Sequence, residues 1–407
     1  MSCIIFEVKY IEREITEKLL ELSREIPVLF LTGPKQSGKT TLLKNAFSKS
    51  HDYVSLEEKE IKSFALNDPK GFLKNFKKNA IIDDIQNAPN LPLYISEILK
   101  NNTELDSDEL KNNYILSGSR TPAVMENARL LLGNIKAFSI LPFSVNELAS
   151  AGRLSNNSND WLLTGNYPKL ISTGMNPEDF FNFYIDTFIE KNLPVIFKIH
   201  DSVKFKKFLS VLATSAGSPL NFSKLGAEVS IDARTVGSWL SILEEAYIIF
   251  RLNPYDKNGK RYVKTAKVYF YDSGLLCVLL GIKQSDDFNL HRMRGRIFES
   301  AVIAEIVKKY FNRKQKPKLY FWRDLDNREK EIDLIELIGP AKKNQGYLEL
   351  TEIRASQTPS KDYLKNLLDF NPQGFPMVKS KRVIYEGDNT GISGIEYLNW
   401  KSMGGNL

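Results

Sequence analysis

Gly33, Gly38, Lys39 and Thr40 stand in the spacing G-x-x-x-x-G-K-T, after the apolar run Val28 to Leu31 and before a helix-forming run through Leu42, Leu43 and Phe47. This is the pattern that cradles a polyphosphate. Its glycines let the backbone turn tightly, and successive N–H groups and the positive end of the following helix aim at one point. Lys39 is expected to neutralise the β- and γ-phosphates, and Thr40 to offer its hydroxyl to Mg²⁺. With Pro34, Lys35, Gln36, Ser37 and Thr41 these residues form the expected contact set, so ATP and Mg²⁺ are the expected cofactors.

Two further clusters can complete that chemistry. Ala80-Ile81-Ile82-Asp83-Asp84 reads as a buried strand ending in carboxylates, and Tyr114 to Ser119 as another ending in Ser117-Gly118-Ser119. Asp83 can hold the metal beside Thr40, directly or through water, and Asp84 can orient or deprotonate the attacking water. Ser117 and Ser119 can hydrogen-bond the γ-phosphate or that water. Both clusters also fit ordinary strand-end turns, since carboxylates and Ser-Gly-Ser commonly end strands.

The elements that must position these groups alternate. Apolar residues at 11, 15, 19 and 22 predict a helix over 11–25. Strands are expected at 28–32, 53–56, 80–84, 114–119 and 137–143, and helices at 61–66, 69–76 and 91–100. Such alternation predicts an α/β fold, a parallel sheet covered by helices with function at the strand C-termini. The loop Ser155 to Asn159 is a possible boundary, Asn312 to Lys318 is a second, basic loop, and domains are expected at 1–158, 159–290 and 291–407.

Composition narrows the class. The 407 residues are 42% hydrophobic and 26% charged, with a net charge of +7. That basic excess permits an anionic partner. The two cysteines, Cys3 and Cys277, are too far apart to build a disulfide scaffold, and His51, His200 and His291 lack ligand spacing. The N-terminus lacks a secretion signal and apolar runs are short, so a cytoplasmic chain without a membrane partner is expected.

The phosphate loop, YVSLEE (53–58), AIIDDIQNAP (80–89), YILSGSR (114–120) and LPFSVNEL (141–148) follow one another in order, and TVGSWLSILEEAYIIFRLNPY, KVYFYDSGLL and FWRDLDNREKEIDLIEL continue the pattern. In this the chain resembles the AAA-superfamily ATPases of archaea and bacteria that carry a C-terminal winged-helix and restriction-nuclease-like region, long catalogued as a domain of unknown function. The resemblance implies an N-terminal P-loop NTPase domain, a helical middle domain with a winged helix, and an α/β restriction-endonuclease-like C-terminal domain. It also marks two departures. That family usually has Asp-Glu where this chain has Asp83-Asp84, and Gly-Arg where it has Gly133-Asn134. Aspartate reaches about 1.5 Å less far than glutamate, so slow hydrolysis is expected. Arg120, Arg129 and Arg153 are the arginines able to substitute for the missing one.

In the middle region, 222–229 and 232–246 form a helix pair with Asp232 as N-cap, and 247–252 with 267–271 resemble the strands of a wing. Arg234, Thr235 and Ser238 would face duplex DNA, with Lys257, Lys260, Arg261 and Lys264 on its phosphates. Glu244 and Glu245 on the same helix oppose that use. In the last region the resemblance implies a Mg²⁺ site from Glu299, Asp333 and Glu352, with Arg354 where active members of that fold carry lysine. Arginine cannot deprotonate, and its planar fork prefers a carboxylate or phosphate. The expected function is a slow Mg-ATPase acting as a nucleotide-dependent switch coupled to DNA binding. An ATP-regulated Mg-dependent nuclease and an ATPase that contacts only proteins, or a second copy of itself, are the alternatives.

Overall fold

The computed structural model describes residues 10–76, 79–102, 113–255, 265–324, 330–339, 346–370 and 376–404. The apolar runs of the first 140 residues become β1 (Val28–Thr32), β2 (Asp52–Ser55), β3 (Asn79–Asp83), β4 (Asn113–Gly118) and β5 (Ile135–Ser139). They pair in the order β2-β3-β4-β1-β5, all in parallel. A parallel sheet is covered on both faces, which is why β1 is apolar at nearly every position and buried throughout. Val28, Phe30, Ile82 and Leu116 pack into one apolar layer. Leu29, Leu31, Ile81 and Ile115 pack into the other, against Leu42, Leu43 and Phe47 of the helix that follows the phosphate loop.

Two boundaries differ from expectation. The first helix runs only over Thr16–Ser23, because the backbone at Arg13 serves as its entrance: Thr16 donates both its N–H (3.0 Å) and its hydroxyl (2.7 Å) to the Arg13 carbonyl. The fifth strand ends at Ser139 and the chain then turns into the Val145–Ser150 helix, which Ser144 and Glu147 close with a capping box.

The middle region is helical. Helices at Phe222–Val229 and Ala233–Glu245 form the expected pair, and Asp232 accepts from the Thr235 N–H at 2.9 Å. The strands that follow are β6 (Ile249–Pro254) and β7 (Lys267–Phe270), paired antiparallel. They are not a free wing. Asn253 and Pro254 of β6 pair in parallel with Tyr320 and Phe321, so both strands continue the C-terminal sheet. The basic positions Lys257, Lys260, Arg261 and Lys264 lie outside the described residues.

The long helix Arg294–Asn312 leads into β8 (Leu319–Arg323), β9 (Glu331–Ile338), β10 (Tyr347–Arg354), β11 (Met377–Tyr385), β12 (Thr390–Ile392) and β13 (Ile395–Asn399). With the two middle strands they form a mixed eight-stranded sheet, ordered β12-β13-β11-β10-β9-β8-β6-β7. One apolar cluster extends from Leu141 and Trp161 through Trp239 and Phe298 to Trp400 and Met403. The middle and C-terminal regions therefore share a core, which also takes in Leu141 and Val145 of the first region. Among the described residues no helix is long and apolar enough to cross a membrane.

Candidate nucleotide site

The phosphate loop begins where β1 ends. Gly33 has φ +150°, and a Cβ there would lie 2.0 Å from the Ile140 carbonyl oxygen. Gly38 has φ +90° and opens the Lys39–Phe47 helix. Both conformations favour glycine, so the spacing read from the sequence is a backbone requirement. Lys39 Nζ donates to the Gly33 (3.0 Å) and Pro34 (2.8 Å) carbonyls. Burial lowers its ammonium pKa to about 8, against the pull of Asp83 and Asp84. A phosphate entering the loop would supply the missing counter-charge.

Thr40 Oγ1 donates to Asp83 Oδ2 at 2.6 Å. The β3 strand thus ends against the first turn of the loop helix, as the two motifs required. Asp83 is 2% exposed and also accepts from the Tyr53 hydroxyl at 3.1 Å. These oxygens suit a hard divalent ion such as Mg²⁺. Asp84 has φ +58°, which turns the chain sharply at the sheet edge. Its Oδ1 accepts from Gln86 Nε2 at 2.8 Å, and Gln86 Oε1 accepts from the Ser119 N–H at 3.0 Å. Burial, and then the Asp83 carboxylate beside it, raise the Asp84 carboxyl above its ordinary value.

Lys39, Thr40, Asp83 and Asp84 line one cleft of about 700 Å³. Its opposite wall comes from beyond the sheet: Arg153, then Pro168, Lys169 and the 171–174 segment of the middle region. Ser117 and Ser119 are absent from that lining. Ser117 is fully buried, and its hydroxyl has no hydrogen-bond partner. Ser119 instead borders a small cavity between Gly33 and the middle region.

The three arginines separate. Arg153 lines the cleft. Arg120 points to Tyr247, Glu245 and Tyr271, which hold its guanidinium charged despite burial. Arg129 is exposed. Asn134, where an arginine was expected, precedes β5, and its carbonyl accepts the Val28 N–H at 3.0 Å. Val28 is the first residue of β1, so Asn134 lies at the opposite end of the strand from the phosphate loop, roughly 16 Å away. Asn134 is also absent from the lining of the cleft.

Several contributors escaped the sequence reading. No site role for Tyr53, Gln86 or Arg13 can be read from the sequence, because each depends on a partner brought by the fold. Tyr247 is another: its hydroxyl hydrogen-bonds Thr32 Oγ1 (2.8 Å) and Ser139 Oγ (2.7 Å), at the ends of β1 and β5.

The C-terminal carboxylates are brought together, with their charges already taken. Lys267 of β7, 2% exposed, lies 3.1 Å from Glu299 and pairs with Glu331. Arg354 lies 3.3 Å from Asp333 and pairs with Glu352. Burial, and then Glu299, raise Asp333 to about 6; burial, and then Asp333, raise Glu352 well above its ordinary value. Among the described residues no group of three or more His, Cys, Asp or Glu side chains is arranged to hold a metal ion. The carboxylates expected to form a metal cluster, Glu299, Asp333 and Glu352, instead sit in an ion-pair network with the buried Lys267 and the half-buried Arg354.

The sequence matches family models in three segments. Residues 155–286 match a domain of unknown function (DUF8612). An uncharacterized protein of Mycobacterium tuberculosis, Rv2008c, is 26% identical over 368 residues, covering 88% of this chain and 76% of that protein. An uncharacterized Haemophilus influenzae protein is 24% identical over 199 residues, 45% of this chain and 49% of its own. Among solved structures, the Walker-type ATPase PABY2304 of Pyrococcus abyssi is similar over 66% of this chain and 96% of its own, with 16% identity and a TM-score of 0.42. Residues 25–149 match the AAA domain family and residues 294–401 match a second domain of unknown function (DUF4143). The chain thus joins a segment that matches the AAA domain family to a C-terminal segment that matches DUF4143.

Proposed function

We propose that the protein is a nucleotide-dependent switch that binds Mg-ATP in the cleft, hydrolyses it slowly, and thereby changes how the middle and C-terminal body meets duplex DNA. The observation that carries this reading is the construction of the cleft. One wall holds Lys39 and the Thr40–Asp83 pair at 2.6 Å, and the other is built from the middle region. A nucleotide filling it would touch both bodies, so its γ-phosphate has differential contacts to offer in the two states. Thr40 and Asp83 would hold Mg²⁺, whose chemistry is to neutralise charge on the transferred phosphoryl group. Lys39 would bind the β- and γ-phosphates, with the loop N–H groups of residues 35 to 41, and Asp84 would orient the attacking water. Of Arg120, Arg129 and Arg153, only Arg153 lines the cleft, where it would meet phosphate charge from within the chain.

Slow turnover follows from Asp84. Its carboxylate is shorter than glutamate and is tied to Gln86. The DNA-binding part of the proposal is supported by the net charge of +7 and by Arg234 and Ser238, both exposed on the Ala233–Glu245 helix. On the same helix Glu244 is neutralised by Arg251, which donates to it at 2.8 Å. The nuclease alternative would require a metal to displace Lys267 and Arg354 from their carboxylates, and those ion pairs weigh against it.

The test is Mg-ATP hydrolysis by the purified protein with and without duplex DNA, beside Lys39→Ala. Turnover that DNA changes and that Lys39→Ala lacks supports the switch. ATP binding without turnover at any DNA concentration refutes the hydrolysis step and directs attention to protein partners. Metal-dependent cutting of the DNA would favour the nuclease.

A further inference from the structure

Arg13 is a charged side chain in an N-terminal stretch that otherwise looks like a solvated helix face, yet it is 4% exposed. Three of its five N–H donors are spent on two separate pieces of chain, the phosphate loop and the segment 141–147. Nη1 donates to the Ser37 carbonyl of the phosphate loop at 3.0 Å, Nη2 to the Leu141 carbonyl at 2.7 Å, and Nε to Glu147 Oε1 at 2.9 Å. The guanidinium also lies 4.8 Å from the centre of the Phe143 ring. Burying a guanidinium is costly unless it is paired and its donors are satisfied, and here both conditions are met.

The Ser37 contact has a direct consequence. The Ser37–Gly38 peptide is planar, so holding its carbonyl fixes the direction of the Gly38 N–H, a donor of the phosphate cradle. Gly38 is free to rotate into many conformations, and a Cβ placed on it would lie 3.6 Å from Arg13 Nη1. Arg13 thus supplies from outside the rigidity that the glycine lacks.

The other two contacts tie that peptide to the segment 141–147. The far side of this segment is gripped by the C-terminal body. The Val145 N–H donates to Glu305 Oε2 at 2.7 Å, and Lys308 Nζ donates to the Phe143 carbonyl at 3.0 Å. Both come from the Arg294–Asn312 helix. An unbroken line of buried polar contacts therefore runs from the phosphate loop through Arg13 to the long helix of the third region.

We propose that Arg13 is a positioning residue for the nucleotide. It sets the plane of the Ser37–Gly38 peptide and couples the phosphate cradle, through residues 141–147, to the C-terminal body. The inference rests on the nucleotide-binding reading above and adds a residue and a route to it.

The test is the affinity of Arg13→Lys for a fluorescent ADP analogue with Mg²⁺, alongside its thermal unfolding and circular dichroism. Lysine keeps the charge but cannot bridge three acceptors held in the plane of a guanidinium. The expected result is a folded protein whose dissociation constant rises tenfold or more. A folded variant that binds within twofold of wild type, even with a lowered melting temperature, overturns the proposal and leaves Arg13 a purely structural residue. Wild type that fails to bind the analogue overturns the nucleotide reading and this inference with it. A second measurement needs no variant: amide hydrogen exchange on wild type with and without Mg-ADP. Exchange in residues 141–148 and in the Arg294–Asn312 helix should slow several-fold with nucleotide. Unchanged exchange in both, while the loop helix is protected, overturns the coupling.

Discussion

If Asp84 orients the attacking water as proposed, replacing it with glutamate should speed ATP hydrolysis. Asp84 lines the cleft beside Lys39, Thr40 and Asp83, but its side chain is one methylene short of the glutamate usual in similar ATPases. The extra methylene carries the carboxylate about 1.5 Å further toward a water held at the γ-phosphate. Misplacement of about 1 Å can cost a hundredfold in rate, or about 2.7 kcal/mol of activation free energy. Part of that gain is lost, because reaching forward breaks the 2.8 Å bond from Gln86. Such a hydrogen bond contributes about 1 kcal/mol. The balance, about 1.7 kcal/mol, corresponds to roughly an eighteenfold increase in kcat for Asp84→Glu. The assay is phosphate release at saturating Mg-ATP, with the affinity for Mg-ADP measured in parallel. Asp84→Asn should abolish turnover, and both variants should bind ADP within about twofold of wild type. If Asp84→Glu is no faster than wild type, or if Asp84→Asn retains its rate, Asp84 does not orient the water.

Other perturbations probe other joints of the structure. Tyr247→Phe removes the hydroxyl between Thr32 and Ser139 and should cost about 1 kcal/mol, read as a lowered denaturant midpoint; unchanged stability would mean that this contact is not formed. Gly33→Ala should abolish nucleotide binding, since its Cβ would lie 2.0 Å from the Ile140 carbonyl oxygen; an alanine variant that binds ADP normally would contradict the loop geometry. The Asp333 carboxyl, raised to about 6 by burial and Glu299, keeps a proton in the folded state that the unfolded chain releases near 4. Its contribution to stability is therefore complete below pH 4 and lost as pH rises toward 6. Urea midpoints at pH 4.5 and 6.5 should show this loss in wild type and a flatter profile in Asp333→Asn; equal slopes would place the titration elsewhere.

The parts of this protein that its sequence determined are those whose physics is local. The glycine-lysine-threonine spacing dictates a backbone turn and a helix start within nine residues, 33–41. The apolar runs ending in Asp83 and Ser117 dictate buried strands whose last residues emerge at the sheet edge. Asp232 was legible as a cap for the same reason, since it acts on an N–H three residues away. Arg13 with Glu147, Tyr247 with Thr32, and Lys267 with Glu299 obey no spacing rule. Their partners are 134, 215 and 32 residues apart, and each contact exists only because packed elements bring them together. The same holds for the cleft, whose far wall at Arg153 and Pro168 to Gly174 comes from chain beyond the sheet. It holds again for the C-terminal carboxylates, where sequence could put Glu352 and Arg354 on one face of a strand but gave no sign of the lysine that β7 brings to Glu299. Burial makes a charge seek whichever counter-charge lies nearest in space, and only the tertiary structure decides which one that is.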